Sequence, residues 1–280
     1  MQRWCVGVTL RYTPTHHMEQ TIVVTGSTRG IGFGLAVAFL EAGHNVVVCG
    51  RTDTSTAAAV DGLAVRFGGD RLLGVAADVA QFKQVEHLWT AANERFGRVH
   101  IWINNAGLGA RPADAWERSP GEMEAVVSTN LLGVMHGSAV AVKGILKQGG
   151  GFVYNMEGLG SRGPVVPGTA LYASSKAGVT RFTQGLVKET AHTPVRVGFM
   201  SPGMVITDLF TGPDQEAMTP GAKKIANILA DRVETVAPYL VRRILSNTKH
   251  GARVDWLPGR KIAWRFATAA FRRNRLFTVN

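Results

Sequence analysis

The chain has 280 residues, of which 45% are apolar and 18% are charged, so it is long enough to bury a full hydrophobic core. Its two cysteines, Cys5 and Cys49, are too few for a disulfide framework or a cysteine metal site, and we expect no bound metal. The net charge of +11 lies mostly after residue 241, where there are ten basic residues and one acidic residue, which leaves +2 for the rest of the chain.

The first 17 residues lack both the apolar core and the small-residue cleavage site of a signal peptide. We expect residues 1–17 to be a disordered N-terminal extension, residues 18–250 to form one domain, and residues 251–280 to form a basic, helical C-terminal tail. No apolar run approaches the roughly 18 residues needed to cross a bilayer. The sequence therefore predicts a cytoplasmic protein without a membrane-spanning segment.

Apolar strands alternate with helix-length segments along most of the chain. The run TIVVT (21–25) leads into a glycine-rich turn and a helix that ends at Gly43, and a second strand, NVVVC (45–49), follows at once. Valine-rich strands that alternate with helices are typical of a parallel sheet covered on both faces. The sequence therefore predicts an α/β fold with a doubly wound parallel sheet of the Rossmann type. Later strands are predicted at 72–76, 99–106, 151–156 and 195–200, and later helices at 81–96, 121–146 and 172–190.

The turn after the first predicted strand reads TGSTRGIGFG (25–34) and places glycines at 26, 30 and 32. Glycines there let backbone N–H groups approach a pyrophosphate, which then lies at the positive N-terminal end of the following helix. A glycine-rich turn can also be no more than a turn, but its place between a strand and a helix favours a dinucleotide site. The predicted cofactor contacts in this turn are Gly26, Ser27, Thr28, Arg29, Gly30, Ile31 and Gly32.

The end of the second strand distinguishes the two nicotinamide dinucleotides. An NAD site usually places a carboxylate there to bind the ribose 2′-hydroxyl, whereas this chain has Gly50 followed by Arg51. Arg51 and Arg29 are both placed where a guanidinium would pair with a 2′-phosphate. We therefore expect NADPH. The alternatives that stay open are NADH as the cofactor and Arg51 as a solvated loop residue.

Two further loops follow predicted strands and belong to the same predicted site. Open α/β sheets bind ligands at the carboxyl ends of their strands, and we expect the aspartate after the third strand to meet the adenine. Turn chemistry alone is the alternative for Asn104 and Asn105. The predicted contacts in these loops are Asp78, Val79, Asn105, Ala106 and Gly107.

Tyr172 and Lys176 lie four residues apart in YASSK, within a stretch of helical periodicity, so both side chains project from one face. A free tyrosine, with a pKa near 10, is a poor acid at neutral pH. A lysine ammonium about 4 Å away would lower that pKa by about three units, to near 7, where general acid catalysis works best. Because such a pair also arises by chance, its meaning depends on the motifs around it.

Six motifs lie in order across nearly the whole chain, and they read TGSTRGIG, Asp78, NNAG, STNLLG, YASSK and SPGMVITDL. Together they resemble the short-chain dehydrogenase/reductase family. The resemblance implies that Tyr172 donates a proton to the substrate oxygen, and that Lys176 binds the nicotinamide ribose and lowers the tyrosine pKa. It also implies that Asn130 holds a water in a proton relay. Beside the nicotinamide it places Pro202, Gly203, Val205 and Thr207.

The serine of the family is missing from its usual place. That place, thirteen residues before the tyrosine, holds Leu159, which cannot hydrogen-bond a carbonyl. The nearest hydroxyl is Ser161, and the glycines around it would let the backbone bring it to the substrate. We therefore assign Ser161 the catalytic role of the serine. Glu157 is more typical of a solvated or loop-pinning group than of a second catalytic acid.

Within the family, NMEGLGS and the C-terminal WRFATAAFRR resemble the chlorophyll b reductases. That resemblance implies a hydrophobic tetrapyrrole substrate, the 7-formyl group of chlorophyll b or of its phytol-free form, reduced by NADPH. The alternatives are another hydrophobic ketone, quinone or aldehyde, and a nucleotide-binding protein without turnover. Family members are commonly dimers or tetramers, so we expect a homo-oligomer.

The tail carries a second possible interaction surface. If residues 261–275 are helical, basic side chains line one side and apolar side chains another, which suits peripheral contact with a membrane. A partly packed helix with solvated arginines is an equal alternative, and nucleic acid ranks last because the tail holds no nucleic-acid-binding motif. The basic set is Lys261, Arg265 and Arg272, and the apolar set is Ile262, Phe266, Ala269 and Ala270.

Overall fold

The computed structural model describes residues 19–110, 112–163, 166–211, 219–271 and 276–277. The predicted N-terminal extension, residues 1–17, lies outside the described residues. Over the described ranges the chain folds as an α/β structure built on one large sheet.

Nine strands occur in the described part of the chain. They are β1 (Thr21–Thr25), β2 (Asn45–Gly50), β3 (Leu72–Ala76), β4 (Ile101–Asn104), β5 (Gly151–Met156), β6 (Val195–Ser201), β7 (Met204–Val205), β8 (Ala230–Asp231) and β9 (Arg253–Asp255). Seven of them form one sheet in the order β3-β2-β1-β4-β5-β6-β9, and each neighbouring pair is parallel. β7 and β8 form a separate parallel pair. The predicted doubly wound parallel sheet is confirmed.

Ten α-helices connect or flank these strands within the described ranges. They are α1 (Gly30–Glu41), α2 (Asp53–Phe67), α3 (Phe82–Phe96), α4 (Pro120–Val127), α5 (Gly133–Lys147), α6 (Ala170–Glu189), α7 (Asp208–Thr211), α8 (Pro220–Leu229), α9 (Val233–Leu245) and α10 (Gly259–Ala267). Buried side chains of α1, α2 and α9 share one apolar cluster with the sheet, and those of α3, α5 and α6 share another. Helices therefore cover both faces, which explains why β1 and β2 are buried along their whole length.

The strand order creates a crevice beside β1. The chain adds β2 and β3 on one side of β1 and then crosses to place β4 on the other side. The loops after β1 and β4 therefore leave the sheet toward opposite faces, and a crevice opens between them at the carboxyl ends of the strands.

One continuous helix runs from Pro120 to Lys147, because a π-helical segment, Ser128–Leu132, joins α4 to α5. By length and composition this helix would be able to cross a membrane, and 44% of its most apolar window is buried in the structure. Side chains of α5, among them Ala141 and Ile145, belong to the apolar cluster on the sheet. This part of the apolar surface is therefore used in the core.

Part of the predicted C-terminal tail belongs to the sheet. β9 pairs with β6 at the edge, so the sheet continues past the predicted boundary at residue 250 as far as Asp255. Helix α10 follows directly. The last residues of the tail, 272–275 and 278–280, lie outside the described residues.

The basic stripe predicted for the tail is wrong at Arg265. Arg265 is buried, and its Nη1 donates to Oδ2 of Asp231 (2.6 Å) and to the carbonyl oxygen of Leu229 (2.9 Å). The Nζ of Lys261 lies 3.0 Å from the ring centroid of Trp256. Arg265 faces inward because Asp231 accepts from it, whereas the half-buried Lys261 packs on the indole of Trp256. The third member, Arg272, lies outside the described residues.

We expect the ion pair between Arg265 and Asp231 to be important for stability. Its side chains are 8% and 9% exposed, so Arg265→Met would leave the Asp231 charge buried without its cation, a change that costs about 3–5 kcal/mol. Urea unfolding should show a loss of that order. The control is Arg66→Met, because the Arg66–Glu41 pair is 55% and 42% exposed and should contribute about 1 kcal/mol or less. Equal losses in both variants would contradict this assignment.

Candidate active site

The glycine-rich turn has no room for side chains where it meets the loop after β4. Gly26 has a φ of 64°, and a Cβ added there would lie 2.6 Å from the Cα of Ala106. A Cβ added to Gly32 would collide with the carbonyl oxygen of Gly26 and the side-chain amide of Asn105. Glycine at both positions therefore brings the two loops into contact and presents the N-terminal end of α1 to the crevice.

Hydrogen bonds between Thr25 and the loop after β4 fix this contact. The Oγ1 of Thr25 accepts from the backbone N–H groups of Asn105 (3.0 Å) and Ala106 (3.1 Å). The side-chain amide of Asn105 donates back to the carbonyl oxygens of Thr25 (2.8 Å) and Gly26 (3.0 Å). Turn chemistry thus accounts for much of what Asn105 does.

One atom of Asn105 is left unsatisfied. Its Oδ1 is buried and has no hydrogen-bond partner among the described residues. A buried acceptor without a donor is costly, so a donor from a ligand in the crevice fits this position. The glycine-rich turn and the Oδ1 acceptor of Asn105 together suit the binding of a dinucleotide.

Ser27 is fully buried and serves the structure of the turn. Its Oγ donates to the carbonyl oxygen of Val24 (2.6 Å) and accepts from the backbone N–H of Cys49 (2.9 Å). The serine therefore joins the ends of β1 and β2, and its side chain is not available to a ligand in this position.

The space around Gly50 disfavours a carboxylate at the end of β2. A Cβ added to Gly50 would lie 2.5 Å from the methyl group of Thr28 and 2.6 Å from the Oγ1 of Thr56. A carboxylate at this position would therefore require its neighbours to move. The next residue, Arg51, is exposed beside this position. Its surroundings are consistent with binding a 2′-phosphate.

The loop after β7 lies against the glycine-rich turn. A Cβ added to Gly30 would lie 3.4 Å from the methyl group of Thr207, and the Nη1 of Arg29 lies 3.9 Å from Oδ2 of Asp208. Both members of that ion pair are largely exposed. The structure therefore brings the predicted pyrophosphate turn and the predicted nicotinamide loop together.

The residues before Thr207 connect this loop to the C-terminal segment. Gly203, which follows Pro202, has a φ of 68°, and a Cβ added there would lie 2.6 Å from a methyl group of Leu257. Val205 is buried and lies in β7, where it pairs with Asp231 of β8. The partner of Arg265 is thus also the neighbour of the predicted nicotinamide loop.

Asp78 and Val79 form the loop at the carboxyl end of β3. The Oδ1 of Asp78 accepts from the backbone N–H of Ala80 (3.0 Å), and its own N–H donates to the side chain of Gln84 (2.7 Å). Val79 is buried, and a Cβ added to Gly133 would lie 2.6 Å from its methyl group. These contacts hold the predicted adenine loop against the helix that carries Asn130.

Lys176 is buried on α6 and points at the end of β5. Its Nζ donates to the carbonyl oxygen of Met156 (3.3 Å) and lies 5.9 Å from the ring centroid of Tyr172. Burial lowers the pKa of Lys176 to about 8, while the carboxylate of Glu157 acts in the opposite direction. The ammonium therefore titrates close to the physiological range.

Tyr172 lies one helical turn before Lys176, with its hydroxyl against the backbone of Gly158. A Cβ added to Gly158 would lie 2.6 Å from the hydroxyl oxygen. Burial raises the pKa of Tyr172 to about 12. The expected pKa near 7 is therefore wrong for this structure. Burial dominates because the Nζ of Lys176 donates to Met156 rather than to the tyrosine.

Asn130 lies in the π-helical segment and is fully buried. Its side chain accepts from the N–H of Leu108 (2.7 Å) and donates to the carbonyl oxygen of Leu108 (2.9 Å) and to Ser175 (3.1 Å). A Cβ added to Gly107 would lie 3.4 Å from Oδ1 of Asn130 and 3.6 Å from the Nζ of Lys176. Asn130, Gly107 and Lys176 therefore lie close together. π-Helical turns are frequent at functional sites.

Ser161 is near the catalytic pair, but its hydroxyl is used within the protein. The Oγ accepts from the backbone N–H of Gly158 (3.0 Å) and donates to the carbonyl oxygen of Lys176 (3.2 Å). Since a hydroxyl has one proton, Ser161 cannot also donate to a substrate in this position. Leu159, at the place of the family's serine, is 50% exposed.

The buried ion pair between Glu157 and Arg253 was missed from the sequence. Glu157 follows β5, whereas Arg253 belongs to the edge strand β9, and its Nη1 contacts Oε2 of the glutamate. The sequence offers one signal, an acidic residue directly after an apolar strand. It does not identify the partner, which lies 96 residues later.

Comparison with known proteins identifies the family. A sequence model described as short chain dehydrogenase matches residues 20–217. The chain belongs to the short-chain dehydrogenase family. Members of this family are NAD(P)H-dependent oxidoreductases, and the crevice of this short-chain dehydrogenase and its Tyr172–Lys176 pair match that chemistry.

Relatives and a solved structure extend the comparison. Chlorophyll(ide) b reductase NOL, chloroplastic, of Oryza sativa subsp. japonica is 38% identical over 228 residues, which are 80% of this chain and 66% of that protein. Probable chlorophyll(ide) b reductase NYC1, chloroplastic, of Arabidopsis thaliana is 33% identical over 274 residues, 92% of this chain and 54% of that protein. The match thus spans just under two thirds of the length of the first relative and about half of the length of the second.

The structure of 3-ketoacyl-(acyl-carrier-protein) reductase from Brucella melitensis complexed with NADH superimposes with a TM-score of 0.75. It is 25% identical in sequence, and the match covers 88% of this chain and all of that chain. The similarity supports a nicotinamide dinucleotide as the cofactor of this short-chain dehydrogenase.

We expect Arg51 to determine the preference for NADPH. Arg51→Ala should weaken NADPH binding by roughly tenfold to a hundredfold, because a charge-assisted hydrogen bond contributes about 1.5–3 kcal/mol, and should leave NADH binding unchanged. Titration calorimetry with both dinucleotides measures this. The control is Arg66→Ala. Arg66 lies in the last turn of α2, whereas Arg51 precedes the start of that helix, so this variant should change neither affinity. An equal loss for NADPH and NADH would refute the assignment.

Proposed function

We propose that this protein reduces the 7-formyl group of chlorophyll b, or of its phytol-free form, to a hydroxymethyl group with NADPH. The relatives that carry the name chlorophyll(ide) b reductase support this substrate class. The observation that carries the proposal is the loop after β5, where Gly158 lies against the hydroxyl of Tyr172 and an exposed Leu159 replaces the family's serine. An apolar group in that place favours a large hydrophobic substrate.

Reduction of an aldehyde adds a hydride to its carbon and a proton to its oxygen. Bound NADPH would supply the hydride. Tyr172 would hold its hydroxyl against the substrate oxygen and give up its proton there, so that new C–H and O–H bonds replace the π bond of the carbonyl. Lys176 in its ammonium form would stabilise the tyrosinate that remains.

The role of Ser161 depends on one hydrogen bond. To bind the substrate oxygen, as the family resemblance implies, its hydroxyl has to leave the carbonyl oxygen of Lys176. In its described position it instead holds Gly158 beneath the tyrosine hydroxyl. Asn130 would also have a positioning role. It fixes the loop after β4 at Leu108, next to Lys176.

Exposed apolar side chains on α7 and on the segments that follow β4 and β5 support a bulky substrate. The backbone N–H of Ala113 donates to the carbonyl oxygen of Gly168 (3.1 Å), and a Cβ added to Gly109 would lie 3.0 Å from the carbonyl oxygen of Leu209. The loop after β4 therefore touches both the loop after β5 and the segment at α7. The exposed apolar residues on these segments are Trp116, Leu159, Val166 and Leu209.

The direct test is to incubate the protein with NADPH and chlorophyllide b and to follow the absorbance change as the formyl conjugation is lost. We expect turnover in the wild type. Tyr172→Phe should lower it by about 10²–10⁴-fold and keep NADPH binding, because only the proton donor is removed. Tyr239→Phe is the matched control and should retain turnover.

The outcomes distinguish the alternatives. Turnover of simple ketones, quinones or other aldehydes without turnover of chlorophyllide b would favour another hydrophobic carbonyl compound. Unchanged turnover in Tyr172→Phe would refute the assigned mechanism.

We also propose that α10 and the short helical turn after it bring the protein to a membrane surface, through exposed aromatic side chains with arginines beside them. Trp264, Phe266 and Phe271 are 68%, 48% and 86% exposed, and Arg260 is exposed on the same helix. The sequence RRNR (272–275), outside the described residues, follows directly. Exposed aromatics next to arginines suit the headgroup region of an anionic membrane. The predicted homo-oligomer and cytoplasmic location stay predictions.

Flotation with vesicles that contain phosphatidylglycerol tests the membrane proposal. The double variant Trp264→Ser/Phe271→Ser should reduce the bound fraction several-fold, because roughly 150–250 Å² of aromatic surface per residue no longer enters the interface. Val65→Ser removes an apolar side chain that is 91% exposed on α2, and it should leave binding unchanged. Equal binding of all three proteins would contradict the proposal.

A further inference from the structure

Glu157 lies at the end of β5, directly after the residue whose carbonyl oxygen accepts from the catalytic lysine. Its backbone N–H donates to the carbonyl oxygen of Met200 (2.8 Å) and so continues the pairing of β5 with β6. The preceding residue, Met156, offers its carbonyl oxygen to the Nζ of Lys176. The glutamate side chain is 1% exposed. A carboxylate is therefore buried directly after the residue that the lysine contacts.

Side chains of three other residues surround the carboxylate of Glu157. Its Oε1 accepts from the Oγ1 of Thr180 (2.7 Å), which lies one turn after Lys176 on α6. Its Oε2 contacts the Nη1 of Arg253 on β9 and lies 3.9 Å from the Nη2 of Arg162. Because these groups occupy both oxygens, Glu157 is not poised to exchange a proton with a substrate. Its role has to be exerted through its neighbours.

The same contacts fix the backbone of the catalytic lysine. The carbonyl oxygen of Lys176 accepts from the Oγ of Ser161 (3.2 Å). The Oγ1 of Thr180 lies 3.3 Å from the same carbonyl oxygen, but its one proton is directed at the nearer Oε1 of Glu157 (2.7 Å). Ser161 binds Gly158, and Thr180 binds Glu157. The loop after β5 is thus attached to α6 at Glu157 and at Ser161.

The charge of Glu157 also acts on Lys176. Burial alone disfavours the ammonium, and a nearby carboxylate favours it. The other titratable or charged side chains that the described residues place around this pair are Arg162, Tyr172, Arg253 and Asp255.

We propose that Glu157 is a positioning residue for the catalytic lysine: it attaches the end of β5 to α6 and supplies the buried negative charge that keeps Lys176 in its ammonium form. This inference rests on the proposed function in so far as Lys176 takes part in the reduction. On this proposal Glu157 contributes to catalysis through Lys176, without touching the substrate.

The test separates the charge of Glu157 from its hydrogen bonds. Glu157→Gln keeps an oxygen that can accept from Thr180 but loses the charge, whereas Thr180→Val loses that hydrogen bond and keeps the charge. The pH profile of kcat/KM should fall on its alkaline side as Lys176 loses its proton. Because the carboxylate favours the ammonium, this alkaline limb should move to lower pH in Glu157→Gln, by roughly one pH unit. It should stay in place in Thr180→Val and in Glu157→Asp.

A second readout does not depend on turnover. The Cε resonance of Lys176 in protein labelled with ¹³C-lysine, assigned by its absence in Lys176→Met, reports the titration of the ammonium directly. Its pKa should be lower in Glu157→Gln than in the wild type and unchanged in Thr180→Val. A purely structural role would lower the melting temperature of both variants and leave both titrations unchanged, and that result would overturn the proposal. If the wild type reduces no carbonyl compound, the proposed function fails, and the titration still decides the role of Glu157.

Discussion

A lysine ammonium buried at the end of β5 is the constraint around which this site is built. A charge taken out of water is costly unless neighbouring groups compensate for it. Here the carbonyl oxygen of Met156 accepts from Lys176, and the carboxylate of Glu157 lies one residue further along. Gly107 and Asn130 approach the lysine from the loop after β4 and from the π-helical segment. The carbonyl oxygen and the carboxylate therefore compensate the buried charge of the lysine, and Gly107 and Asn130 complete the site beside it.

The altered loop after β5 is a consequence of this arrangement. In this chain the hydroxyl of Tyr172 lies 2.6 Å from where a Cβ at position 158 would be, so a side chain there would have to displace the hydroxyl. Ser161 and Glu157 then attach the loop to α6 from either side, by bonds to the backbone of Lys176 and to Thr180. Leu159 is left exposed at the mouth of the site. Leu159 stands where the family has a serine, so the loop presents apolar surface instead of a hydroxyl group. This is consistent with a large hydrophobic substrate.

The fold was predictable because its signals are local. Valine-rich runs predict buried strands, and the glycine spacing predicts a turn that a Cβ would block, as Gly26 and Gly32 demonstrate. What escaped prediction depends on distant partners. β9 has three residues and is recognisable only by its pairing with β6. Arg265 turns inward because Asp231, 34 residues earlier, receives it. The pKa of Tyr172 follows from burial, which no spacing of residues reveals.

The central claim is that this site transfers a hydride from a nicotinamide dinucleotide to a formyl carbon while the protein supplies the proton. Its most direct test uses NADPH that carries two deuterium atoms at C4 of the nicotinamide, with chlorophyllide b as the acceptor and mass spectrometry of the product. The account predicts a hydroxymethyl product with one deuterium bound to the former formyl carbon. A reduced product without deuterium, or oxidation of the dinucleotide without any reduced product, would contradict it.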